Sequence, residues 1–373
     1  KEVDLTNIKT EQVEDLSFMF IICIKLEIVT LSKEAKMQNV KTMASMFEGC
    51  QSLKKVEIPF NQTDKLVNVT NLFSGCEKLE TIKLDQFECK NCKSMKGMFK
   101  GCKAVKELDL SKIKTENLED MSFTFDNCTK LETIKLPKEV KIPKVKTMES
   151  TFAGCETIKK FDFEFTNVTN LENVTNLYSG CTKLEEIKLD KFVCKKCKKM
   201  NGMFKGCPAI KEVDLSPLSP QGVEDMSFIF ENCTSLQNVS MDNFTLVENC
   251  KVEDAFKGCK SLKKLNFKGI KIPKSVNTVL MFKDFNLNGT KIELGENAEV
   301  SNEFKDYVKS KGATITNSNT PSNNNTPSNN STSSNDNNDN KDNTSPNNNN
   351  INIQKKSSNS LSGGAIAGIV IAV

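Results

Sequence analysis

The chain contains no histidine, no tryptophan and no arginine, and only two of its 373 residues are tyrosine. Without histidine it lacks the commonest general base at neutral pH and a principal zinc ligand. Without arginine, all 52 basic residues are lysines, which meet phosphate as point charges rather than as planar two-pronged donors. A net charge of +4 is small for this length, so nucleic acid is not an expected partner. Neither a glycine-rich phosphate loop nor a nucleophile–base set stands in the sequence. An enzyme is therefore not expected, and neither is a cofactor or a metal site. Nor is there an apolar run of the roughly 20 residues that a membrane helix needs. The stretch from Phe18 to Leu31 (FMFIICIKLEIVTL) carries Lys25 and Glu27 and reads as repeat core.

What the chain does have is a period. An aromatic residue followed three places later by cysteine returns every 26 or 27 residues, from Phe20 and Cys23 to Phe256 and Cys259. An eleventh unit keeps Phe282 but has Phe285 where the cysteine belongs. A fixed spacing of this size marks a solenoid, in which each unit buries its apolar side only against its neighbours. Apolar residues follow each cysteine at three, six and eight places, as at Leu53, Val56 and Ile58. The last two point the same way from a short strand, the L-x-x-L-x-L core of a leucine-rich repeat. Apolar residues also precede each aromatic by one, four and seven places, as at Val40, Met43 and Met46. That spacing predicts one stripe on a short helical turn. Gly or Asn stands just before each cysteine from Cys50 to Cys259, the residues that accept the left-handed conformation of a helix C-cap. The expected fold is an α/β repeat: a right-handed leucine-rich-repeat-type solenoid with a parallel β-sheet on one face, short helical turns on the other, and about eleven units of 26–27 residues. A longer period of 105 residues relates VTNLFSGCEKLETIKLDQFECKNC to VTNLYSGCTKLEEIKLDKFVCKKC, as if blocks of four units had been copied.

Four segments are expected. Residues 1–295 form the solenoid, whose first unit is already under way at Lys1, so the N-terminus reads as truncated. Residues 296–316 form a cap, with Ser301 capping a helix that carries Phe304, Tyr307 and Val308 and ends at Gly312. Residues 317–360, mostly Asn, Ser, Thr and Pro, read as a disordered stalk. Residues 361–373 (LSGGAIAGIVIAV) read as the start of a truncated transmembrane segment, with a lipid-anchor signal as the alternative.

Ten of the fifteen cysteines are the repeat cysteines, expected as buried thiols that ladder with backbone groups of the next rung, with disulfides as the alternative. The pairs Cys89/Cys92 and Cys194/Cys197 resemble half zinc sites but stand four rungs apart, about 20 Å by strand spacing, too far for one metal. Each falls on an apolar template position, so core substitution is the first reading and a local disulfide the second. Cys250 has no repeat counterpart.

Seven places after the cysteine the side chain should face outward. That column reads Glu57, Lys83, Asp109, Lys135, Asp162, Lys188, Asp214, alternating in sign on every rung. The column four places after the cysteine alternates too, from Glu27 to Lys211. Register control by opposite charges on adjacent strands is the first reading; a ligand-binding surface is the second. Glycosylation sequons stand at Asn61, Asn68, Asn167, Asn173, Asn243 and Asn288. Asn127, Asn232 and Asn238 also match, the first two at the left-handed position.

The phrases MSFTFDNCTKLETIKL and MNGMFKGCPAIKEVDLS resemble the BspA-like family of leucine-rich-repeat surface proteins, whose units follow M-x-x-M-F-x-G-C-x-x-L-x-x-L-D-L-S. The resemblance covers roughly residues 1–290. It implies a cell-surface protein; the polar stalk and the apolar residues 361–373 add the expectation of a single-pass membrane anchor with the repeats extracellular. The resemblance further implies adhesion to an extracellular protein or glycan ligand. The alternative is a structural or antigenic coat protein with no specific ligand.

Overall fold

The computed structural model describes residues 1–317 except Asp85 and Asp284. Apart from Asn317, the expected stalk and anchor lie outside the described residues. The strands are short because each crosses only one face of a coil. In chain order they are β1 (Glu2–Leu5), β2 (Ile28–Leu31), β3 (Lys55–Glu57), β4 (Thr81–Ile82), β5 (Glu107–Asp109), β6 (Thr133–Lys135), β7 (Glu139–Lys141) and β8 (Glu164–Thr166). There follow β9 (Glu212–Asp214), β10 (Gln221–Asp225), β11 (Asn238–Ser240), β12 (Thr245–Lys251), β13 (Lys264–Asn266) and β14 (Lys291–Leu294). The helix α1 (Asn302–Ser310) and β15 (Thr314–Asn317) complete the described chain. All pairing is parallel, each strand to its equivalent about one unit on: Val29 opposite Val56, Leu108 opposite Ile134, Val239 opposite Leu265. A second parallel column runs through single bridges from Asp15 to Thr42, Asn68, Ser94 and onward to Asp225. The chain is a parallel β-solenoid of about 12 turns. The turn beyond the eleven aromatic units is closed by β15 pairing with β14, and α1 runs through it. Ser301 accepts a hydrogen bond from Phe304 N at 3.1 Å, and Phe304 and Val308 are buried.

The segment between the strands differs from the expected helical turn. Met43, Ser45, Phe47 and Gly49 donate their N–H groups to Asn68, Thr70, Leu72 and Ser74 of the next rung, at 3.0, 2.8, 2.9 and 2.7 Å. The intervening Met46, Glu48 and Cys50 fold back onto Met43, Ser45 and Phe47. A helix spends its N–H groups internally; here alternate ones cross to the neighbouring rung, so the segment is a ribbon of tight turns. The reason is backbone handedness. The Gly or Asn before the cysteine is left-handed, as expected (Gly49 φ 74°, Asn127 φ 58°). A second left-handed residue stands four places earlier: Ser45 (φ 54°), Asn71 (φ 54°), Phe123 (φ 58°), Ser150 (φ 51°), Phe228 (φ 60°). Two such residues within five interrupt any right-handed helix.

Two ladders run along the interior. Rings from Phe20 to Phe282, with Tyr178 among them, stack at centroid spacings of 5.3–5.8 Å and interplanar angles of 3–25°. Beside them each thiol from Cys50 to Cys259 donates to the carbonyl of the aromatic residue one rung back, at 3.0–3.2 Å. The same carbonyl accepts the N–H of its own rung's cysteine, as Phe47 O accepts Cys50 N at 3.1 Å. At the end of the ladder the Tyr307 hydroxyl, from α1, donates to Phe282 O at 3.4 Å. Thr124 and Thr151 hold apolar template positions, buried, with their hydroxyls donating to Met95, Met121 and Met148 carbonyls.

Burial pushes the Cys181 and Cys233 thiols up to about 12 from 9.0 and raises the other ladder thiols in the same direction. A thiol whose folded pKa exceeds its unfolded value stabilises the fold fully below the unfolded value and loses that contribution as the pH rises through the folded one. The unfolding midpoint should therefore fall as pH climbs from 9.0 toward about 12, measured by thermal denaturation; a flat profile would mean that these thiols are not buried. Phe125→Ala, at the centre of the ring ladder, should cost about 3–5 kcal/mol in denaturant titration.

Candidate ligand-binding face

The first charge column does lie on the outer strand face. Glu57, Lys83, Lys135, Asp162, Lys188 and Asp214 are exposed and Asp109 is half-buried. Yet among rung-to-rung neighbours in this column only Lys135 and Asp109 lie within ion-pair distance, at 3.8 Å. Other pairs form between residues two places apart in one rung: Lys55 with Glu57 at 2.6 Å, Lys160 with Asp162 at 3.7 Å, Lys188 with Glu186 at 4.0 Å. Asp109 and Asp214 turn to the chain just beyond their strands and accept from Ser111 N and Ser216 N. The Ser111 hydrogen bonds hold the Asp109 carboxyl below its usual range. In the second column Lys54 pairs with Glu27 at 2.7 Å and Lys159 with Glu185 at 3.5 Å. Exposed pairs of this kind are worth about 0–1 kcal/mol each.

The sequons divide by environment. Asn167, Asn243 and Asn288 are exposed, as are Asn127 and Asn232. Asn173 is half-buried with both ends of its amide engaged: Nδ2 donates to Glu149 at 3.2 Å, and Oδ1 accepts from Thr175 N at 3.0 Å. Asn68 is half-buried and accepts from Thr70 N. Asn61 is half-buried, with its Oδ1 enclosed and without a hydrogen-bond partner.

The Cys-x-x-Cys pairs correct the sequence expectation. All four cysteines are fully buried at their template positions, but they are joined as the local disulfides Cys89–Cys92 and Cys194–Cys197, with Cα separations of 5.3 and 5.4 Å. Core packing and cross-linking are compatible here because a spacing of three brings the two side chains to one side of a tight turn: Cys92 N bonds Cys89 O at 3.1 Å, Cys197 N bonds Cys194 O at 3.0 Å. Cys250, in β12, is buried with its thiol raised to about 12 by desolvation.

An opening on this face lined by two phenylalanines has no forerunner among the predicted site residues beyond two members of the charge column. The inward position six places after the cysteine is Val29, Val56, Ile82, Leu108, Ile134, Ile187, Val213, Val239 or Leu265 in nine units and Phe161 in the tenth. Phe163 and Phe165 follow at alternate places. The Phe161 ring packs 4.8 Å from Phe152 and 5.5 Å from Tyr178 in the ring ladder. An aromatic side chain where the fold allots an aliphatic one overfills the rung. The strand column is interrupted at that rung, as it also is between β4 and β5, where the inward residues are Ile82 and Leu108: among the described residues none of 160–163 or 186–188 joins a ladder, and the column resumes at β9. The rungs remain tied just before the break by Glu185 N to Lys159 O at 2.9 Å. A hollow of about 510 Å³ opens there, lined by Phe161 and Phe163 together with Lys160, Asp162, Glu186 and Lys188. Two residues of the predicted column, Asp162 and Lys188, thus stand on its walls. The run FDFEF at 161–165 was the available signal.

With this geometry in view, the family described as "Mycoplasma protein of unknown function, DUF285" matches residues 1–107, 41–162, 146–269 and 214–317, overlapping stretches that span the whole solenoid. The chain belongs to the DUF285 family. No curated protein matches it. Among solved structures the DUF285 chain is similar to a leucine rich cell surface protein from Faecalibacterium prausnitzii, at 14% identity and a TM-score of 0.28, covering 74% of this chain and 84% of that one. It is also similar to a chain of the TLR13–ssRNA13 complex (16% identity, TM-score 0.31, 84% of this chain and 52% of that one). A third is a chain of the Toll–Spatzle complex of Drosophila (14% identity, TM-score 0.26, 76% and 43%). It spans about half the length of these last two.

Denatured without reductant and treated with iodoacetamide, the DUF285 chain should keep four of its fifteen cysteines unlabelled by mass, and none after prior reduction. Fifteen labels without reductant would reject the two pairings.

Proposed function

We propose that the DUF285 chain is a cell-surface adhesin of the BspA-like leucine-rich-repeat kind, holding an extracellular protein or glycan ligand against its strand face. The repeats face outward from the cell and the anchor is assigned to residues 361–373, outside the described residues. Among the described residues no helix is long and apolar enough to cross a membrane. The observation that carries the reading is the hollow over Phe161, where a wet face of alternating charges is interrupted by an opening with an aromatic floor. Two buried disulfides suit a chain that folds in an oxidising space. Polar contacts on so exposed a face are individually weak, so attachment gains strength from many copies engaging at once.

Beads carrying the full chain should be retained on cells or on surfaces coated with matrix protein, and more strongly at higher bead loading. Retention no greater than for bare beads at every loading would sink the adhesin reading and leave a coat protein without a ligand.

A further inference from the structure

We infer that the hollow over Phe161 is a subsite for a neutral sugar ring; the inference rests on the adhesin reading and names the ligand class for that site. Three observations converge on it. The lining is aromatic at one place: the half-buried Phe161 lies 5.5 Å from the buried Phe163, and both border an otherwise polar opening. A pyranose presents an apolar C–H face of similar width, which an aromatic surface desolvates at little cost.

The walls carry donors and acceptors in balance. Four lysines and four carboxylates line the hollow. Two pairs form within a rung, Lys160 with Asp162 at 3.7 Å and Lys188 with Glu186 at 4.0 Å, all four residues about 60–80% exposed. Lys191 closes one side by bridging Glu139 at 3.3 Å and Glu164 at 2.9 Å. A sugar hydroxyl both donates and accepts, so an ammonium beside a carboxylate satisfies it twice. An anionic sugar would meet as many carboxylates as ammoniums and gain nothing in net attraction. The size also fits: about 510 Å³ lies within the roughly 300–1,000 Å³ usual for small-ligand sites. An extended peptide is the poorer match, because strand addition needs a long free edge and the ladder is interrupted over only two rungs.

Other openings on this face differ in part. The hollow beside β4 and β5, about 690 Å³, is lined by Thr81, Ile82, Glu107, Leu108 and Lys135 among others and has no aromatic residue. An opening of about 360 Å³ near β3 has Phe60 in its lining, with Lys33, Lys55 and Lys83 against the one carboxylate of Glu57. An opening of about 460 Å³ on the other side of Phe161, toward Ile134 and Lys159, adjoins the proposed site and shares its aromatic residue.

Saturation-transfer NMR on the full chain would test this with lactose and cellobiose as neutral probes and 3′-sialyllactose as the acidic one. Transfer to the ring protons of a neutral probe is expected, with no gain from the sialic acid. Phe161→Ile installs the residue type of neighbouring rungs and removes the aromatic ring from the floor, so it should weaken the neutral-sugar signal by about tenfold or more, with the unfolding midpoint kept or raised. The surface double change Lys188→Ala with Glu186→Gln should weaken it without touching the core, which guards against misreading a folding defect. No transfer to either neutral probe, transfer only to sialyllactose, or full binding by folded Phe161→Ile would each overturn the inference. Beads still retained on cells while neither neutral sugar competes would leave the adhesin reading standing and remove only this one.

Discussion

Both lone pairs of one carbonyl per turn hold this solenoid in register. The aromatic residue's C=O accepts the N–H of the cysteine three places on, which closes a tight turn, and the S–H of the equivalent cysteine in the following rung, which ties the two rungs together. A thiol is a weak donor, so no single link contributes much. Its value lies in placement: the carbonyl is buried, and a buried acceptor left without its partners carries a desolvation cost of roughly 1–3 kcal/mol. Slipping a rung by one residue would orphan that carbonyl and unstack the ring beside it. The cysteine is small enough to leave room for the ring ladder, and desolvation keeps its thiol protonated and able to donate. Even the last rung respects the rule, for Tyr307 of α1 supplies a hydroxyl to the Phe282 carbonyl.

The interior therefore sets the register, and the exposed charges add little to it. Alternating charges in two outer columns would be a strong register device if they paired on every rung, but in the first column one neighbour pair does so within 4 Å. In the second column Lys54 with Glu27 and Lys159 with Glu185 do so, while Glu57, Asp162 and Lys188 pair with a residue two places away in their own rung. Ion pairs this exposed are also screened by salt. What the alternation does accomplish is a face with nearly equal numbers of donors and acceptors at every point, which suits ligands rich in hydroxyls or amides better than ligands of one charge.

Much of this was legible in the sequence because a solenoid repeats its evidence. The period located the rings and thiols, the spacing of two after each cysteine located the strands, and Gly or Asn before the cysteine marked a left-handed residue. Three things escaped, each for a physical reason. The turn ribbon mimics a helix, since apolar residues every three places suit successive tight turns as well as a 3.6-residue coil; only the second left-handed position distinguishes them, and Phe18, Ser45 and Phe123 disguise it. The paired cysteines mimic core residues because they are core residues, buried completely while cross-linked. Phe161 satisfies the apolar pattern as any inward residue does. Its consequence depends on volume rather than polarity, which an apolar pattern does not record.

That last case bears on how such a chain acquires a site at all. A repeat that obeys its template can open shallow hollows where the strand column is interrupted, as between β4 and β5, but it gives them no aromatic lining. An aromatic-lined hollow requires a local breach of the template that the stack can survive. Substituting a strand residue outward would change the surface chemistry without opening it; deleting a ladder cysteine would open the interior at the expense of register. Enlarging one inward side chain does neither, because the ring at 161 joins the existing aromatic ladder against Phe152 and Tyr178 while the strand above it loses its partners. The thiol links of that stretch persist: Cys155 and Cys181 donate to Phe125 and Phe152 as elsewhere. The rungs are thus held on the turn side and parted on the strand side, and the stack keeps its continuity through the very turn where its outer face opens.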